Sequence, residues 1–122
     1  MSLKNVFLIH AIVAGIFALI ALLMPATFLS IYGMESNDSA VLMTRVVGVS
    51  LLGIALISFY LKDAELTKEV KSVVLALLIS EIFGVIVAIF GTISNIFNSL
   101  GWTIVIIYGF FSVAHYSIYS KK

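Results

Sequence analysis

The chain has 122 residues, of which 62% are hydrophobic and 11% charged, with a net charge of +1 and a mean hydropathy of +1.22. Too few polar side chains are present to cover a water-soluble domain, so the composition points to lipid as the solvent. With no cysteine, disulfides, thiolate metal sites and cysteine nucleophiles are excluded.

The apolar runs are Val6 to Met24, Val41 to Leu61, Val70 to Phe90 and Trp102 to Tyr119. A crossing of ~30 Å of hydrocarbon takes ~20 apolar residues, so the sequence predicts an all-α fold. One domain over residues 1–122 is expected to form an antiparallel, up-down bundle of four transmembrane helices. The first run carries no A-x-A-like cleavage site and is expected to be retained as a span. After it comes PATFLSIYGMESNDS, where Pro25 suits a first helical turn and Gly33 a helix stop, which predicts a short interfacial helix. LKDAELTKEV makes a solvated turn between the second and third spans. GTISNIFNSLG is uncharged, rich in Asn, Ser and Gly, and followed by Trp102 at headgroup level. Lys4, Lys62, Lys68, Lys71, Lys121 and Lys122 all fall on one side of such a bundle. Because lysine accumulates in cytoplasmic loops, both termini are expected in the cytoplasm, in the inner or plasma membrane.

Helices in lipid associate by close backbone approach and hydrogen bonds, so small residues mark contacts. Ser72, Ala76, Ser80, Gly84, Ala88 and Thr92 recur at every fourth position and are expected to face a neighbour. His10, Ala14, Ala18 and Ala21 form such a face on the first span, and Ala40, Thr44 and Gly48 on the second.

Glu81, near the middle of the third span, needs a partner or a proton, because an unpaired carboxylate at that depth is costly. Arg45, entering the second span from the opposite side to the lysines, is the expected partner in a clamp that fixes register or anchors a ligand. The alternatives are a proton- or cation-responsive carboxylate, or a protonated Glu81 bonded to Tyr108. Tyr108, Ser112, His115 and Tyr119 make a polar stripe expected to face inward. His115 and His10 lie at matched depth, which invites a polar pair or a bis-histidine haem site. No metal site is expected, since third and fourth ligands are missing at that depth, and no Ser/His/Asp set can be assembled.

The segments PATFLSIYG, LMTRVVGVSLLGIALISF and NSLGW resemble a group of small, uncharacterised four-span membrane proteins of bacteria and archaea. The resemblance covers most of the chain and rests on Pro25, Tyr32, Gly33, Arg45, Gly48, Gly101 and Trp102; it implies the fold and no activity. Size and layout are also similar to those of small multidrug-resistance exporters, whose essential carboxylate lies in the first helix, where this chain has none and Glu81 would substitute. The leading expectation is a non-enzymatic membrane protein without a cofactor. It would bind a hydrophobic ligand, a lipid or a partner subunit inside the bundle, and would have membrane lipids, a second copy or another membrane subunit, but no nucleic acid, as partners. The alternatives are a proton-coupled transporter or channel working as an oligomer through Glu81, and a haem electron carrier through His10 and His115.

Overall fold

The computed structural model describes residues 1–122 and contains five helices and no strand: α1 Leu3–Leu23, α2 Pro25–Ile31, α3 Asp38–Leu61, α4 Lys68–Ile93 and α5 Gly101–Tyr119. All but α2 are long and apolar enough to cross a membrane. Their outward surfaces carry many exposed large apolar side chains, among them Leu23, Phe83, Val87, Phe90 and Val113. A surface of this kind suits lipid and not water.

Local chemistry sets the helix ends. The side-chain oxygens of Ser2, Asn37 and Thr67 accept hydrogen bonds from the amides of Asn5, Ala40 and Val70, satisfying donors that α1, α3 and α4 cannot serve internally. The Asn37 cap starts α3 three residues before the apolar run that Val41 opens. Pro25 occupies the first position of α2, where its missing N–H costs nothing. Gly33 ends that helix at a φ of 71°. The Gly33 amide donates to Ser30 O at 3.1 Å and the Met34 amide to Leu29 O at 2.9 Å. This paired closure requires a left-handed residue, and glycine reaches it without strain.

α1 packs along α3, and α4 along α5; α1 touches α5 more briefly, while α3 and α4 share no comparable interface. At one end the pairs are drawn together. Lys4 pairs with Asp63 at 3.1 Å, Lys121 donates to Met1 O at 3.1 Å and Lys71 donates to Lys121 O. Beneath this lysine-rich end lies a core of Val6, Phe7, Val74, Leu77 and Ile118. At the opposite end Asn98 ties the α4–α5 loop to α2, its amide donating to Tyr32 O at 2.9 Å and its Nδ2 to Ile31 O at 3.0 Å.

The small-residue faces of α1 and α3 are largely inside: His10, Ala14, Ala18, Ala21, Thr44 and Gly48 are buried. A Cβ on Gly48 would stand 2.9 Å from Leu22 Cγ, so only glycine allows that approach. On α4 the expectation holds for half its length. Ala88 and Thr92 are buried, whereas Ser72, Ala76 and Ser80 are exposed. At ~100° per residue, a step of four overshoots one turn by about 40°, so the strip winds around the helix and leaves the interface.

Candidate functional site

Two features adjoin in the middle of the bundle: a buried polar cluster and an apolar cavity. The cluster brings together His10 of α1, Glu81 of α4 and His115 of α5, all buried. His115 Nδ1 lies 2.9 Å from Glu81 Oε1, 3.0 Å from Oε2 and 3.1 Å from Phe111 O. Phe111 O can only accept, which assigns the proton of that ring to Nδ1. His10 Nε2 stands 3.7 Å from Glu81 Oε1, and its Nδ1 is 3.5 Å from Ser58 Oγ. Phe111 stacks on His10 with ring centroids 4.3 Å apart, while Phe7 covers His115 at 5.8 Å. The carboxylate that lipid would leave uncompensated is thus held by imidazole in a buried, aromatic surround.

Arg45 is not in this cluster. It is exposed and directs its Nε to Leu22 O at 3.4 Å, so the expected Arg45–Glu81 clamp is replaced by a Glu81–His115 pair. Nor does Glu81 bond to Tyr108. The reason lies in side-chain direction, because a helical Cβ tilts toward its own N-terminus. On α4, which starts at the lysine-rich end, Glu81 leans back toward that end. His115, whose helix runs the other way, leans up to meet it. Counting Cα heights alone puts them on different levels, and Glu81 is the third ligand-type group at the depth of the histidines. Arg45, on a helix that starts at the far end, leans toward that end and away.

The haem expectation conflicts with the geometry. Axial imidazoles lie on opposite faces of a porphyrin, whereas the His10 and His115 rings meet edge to face at 5.0 Å and 60°, with Glu81 bridging them.

The cavity has a volume of about 440 Å³ and lies between the α1–α3 and α4–α5 pairs, with Phe28 and Leu29 of α2 among its lining. His10 lines it, so the cluster touches the cavity through one ring. Tyr108 and Thr44 are the other polar side chains in its wall, and nearly everything else is aliphatic or aromatic. Its rim includes Met43 and Val47 of α3 and Val87 of α4, which are 59%, 47% and 65% exposed. The cavity therefore opens sideways, on the flank where α3 and α4 lack an interface. Gly84 keeps it open, since its missing side chain leaves room for the Tyr108 ring; a Cβ there would meet that ring at 2.6 Å.

Ser112 lies beside Tyr108 on α5 but uses its hydroxyl on Tyr108 O at 2.8 Å, which removes it as a ligand donor. Of the residues singled out in the sequence, the structure unites Glu81, His10 and His115, places Tyr108 in the cavity wall and leaves Arg45 outside. Ser58 and Asn98 were not singled out. Ser58 was visible as a small residue one helical period from other buried positions of α3; the Asn98 clamp joins residues 67 apart and has no local signal.

No known protein family, curated protein or solved structure matches this chain. The functional reading rests on the geometry.

Proposed function

We propose that this is a non-enzymatic membrane protein of the inner or plasma membrane. It crosses four times in antiparallel order with both termini in the cytoplasm, and it takes an apolar ligand, an acyl chain or a molecule of similar character, into the cavity between its helix pairs. The observation that carries this reading is the cavity itself. Its volume of about 440 Å³ falls in the range of small-molecule sites, and its wall is apolar with a few convergent polar groups. Its lateral opening faces the flank where lipid chains would lie, so a ligand enters from the bilayer without crossing water. His10 and Tyr108 supply the polar contacts that orient it. Arg45, exposed near the far end, suits a headgroup better than an internal anchor.

Native mass spectrometry after delipidation and re-addition of a single phospholipid tests this. One lipid retained per chain is expected, and its loss in Val47→Trp, which fills the cavity from the rim; a bare wild type contradicts the reading. Because the chain lacks cysteine, single substitutions Ser39→Cys and Ser120→Cys report orientation directly, and an impermeant thiol reagent outside the cell should label only the first.

A second reading has one observation in its favour. Glu81 lies between two titratable imidazoles, one of which lines the cavity, and such a set can pass a proton to a bound substrate. Proton-coupled transport by an oligomer would then depend on the carboxylate. Flux in proteoliposomes that survives Glu81→Gln unchanged dismisses it.

A further inference from the structure

Three side chains that can ligate a metal meet in the buried interior of the bundle. His10, Glu81 and His115 come from three different helices, each offers one ligand atom, and these atoms lie within 4.8 Å of one another. Two imidazoles and one carboxylate form the donor set of His₂Glu zinc centres and of two-His-one-carboxylate ferrous centres. Hydrogen bonding does not exhaust these donors. The His115 Nδ1 proton serves Glu81 Oε2 and Phe111 O, and an ion taken up at that nitrogen would release it to solvent; Glu81 Oε1 and His115 Nε2 are buried without a hydrogen-bond partner. Oε1 is the atom that faces His10 Nε2, at 3.7 Å and beyond hydrogen-bond reach. Oε1 thus has His115 Nδ1 close by at 2.9 Å but no hydrogen bond of its own, a costly arrangement for a buried carboxylate oxygen that a cation relieves.

We propose that His10, Glu81 and His115 bind one divalent transition-metal ion of the zinc and ferrous-iron class. The surroundings fit that role. Ser58 Oγ beside His10 Nδ1 holds that ring with Nε2 toward the carboxylate, as outer partners of ligating histidines do. Phe7 and Phe111 exclude water from the other sides. Three protein ligands leave coordination positions open, and His10 is the ligand that also lines the cavity, so a polar group on a cavity-bound molecule approaches the ion from there. Hard cations such as calcium, which take six to eight oxygens, do not suit two imidazoles.

The test uses the full chain in detergent, stripped with chelator and titrated with Co²⁺ alone, with no lipid added, so that its outcome is independent of ligand binding in the cavity. Expected is one ion per chain, with the intense visible absorption of a four- or five-coordinate cobalt ion, abolished by equimolar Zn²⁺. Glu81→Gln and His10→Gln should each weaken binding at least tenfold, and Glu35→Gln on the loop should not. Should those variants fail to fold, X-ray absorption of the wild-type zinc form decides, with two imidazole ligands expected. The pale spectrum of hydrated cobalt throughout, a zinc shell without imidazole, or folded variants that bind as tightly as wild type would each overturn the proposal.

Discussion

The two halves of the bundle are built from the same kinds of residue and end in opposite states. At the lysine-rich end Phe7, Val74 and Ile118 interlock and are almost fully buried, whereas toward α2 the same helices stand apart around a cavity. The difference lies in which residues meet. At the closed end, large side chains of α1 meet large side chains of α4 and α5. Toward the open end α1 presents Ala14, Ala18 and Ala21, which let α3 approach closely but cannot reach α4 or α5. Small residues therefore close one interface and open the space beside it, and in lipid that space is not forced shut by the hydrophobic effect.

The largest test of this contrast is truncation at the two ends. Phe7→Ala should cost about 2 kcal/mol in unfolding titrations with SDS in mixed micelles. The void dominates that figure, since in lipid little transfer energy is lost. Met43→Ala at the cavity rim should cost under about 0.5 kcal/mol, as for a surface position. Equal costs would break the comparison. Gly84→Val comes next. With Tyr108 pressed on Gly84, the added side chain should drive the ring into the cavity, lowering stability by about 1–3 kcal/mol and reducing lipid retention in the same preparation. Asn98→Ala, which removes the Nδ2 bond to Ile31 O while keeping the backbone bond to Tyr32 O, should cost about 1 kcal/mol and speed hydrogen exchange at the Tyr32–Met34 amides only.

The smallest effect belongs to the closed end's exterior. Lys4 and Lys62 hydrogen-bond the Asp63 carboxylate and hold it below its ordinary value of 3.8. A carboxyl group depressed by folding adds stability above its unfolded value, and that contribution is lost as pH falls through the folded one. The difference between wild type and Asp63→Asn should thus be constant from pH 7 to about 5 and vanish below the lowered value, and it should shrink in high salt because the site is exposed.

Hydropathy and turn chemistry made the four long helices, α2 and the Gly33 stop legible, because a ~30 Å span and a left-handed turn impose local requirements. The polar interior was legible only as residue types. Glu81, His10 and His115 each stand out in an apolar run, but pairing them needs side-chain direction and helix order together. By span length Arg45 is the natural partner, until the N-terminal tilt of its side chain is taken into account. The strip from Ser72 to Thr92 fails for a similar reason, since regular spacing at four residues is not a straight line on a helix. The cavity has no signal in the sequence because it is defined by what two helix pairs do not fill.

The most direct test of the central claim, that a lipid chain occupies the cavity, is fluorescence quenching in bilayers of phospholipid brominated along the acyl chain. Trp102 is the only tryptophan, so the variant Trp102→Phe/Leu51→Trp reports from the cavity wall alone. The account predicts strong quenching, approaching that of a tryptophan at lipid-exposed Phe83, and its loss on adding Val47→Trp's smaller, non-fluorescent counterpart Val47→Phe. A Leu51→Trp signal untouched by bromine in the otherwise native chain would mean that no acyl chain enters, and would contradict it.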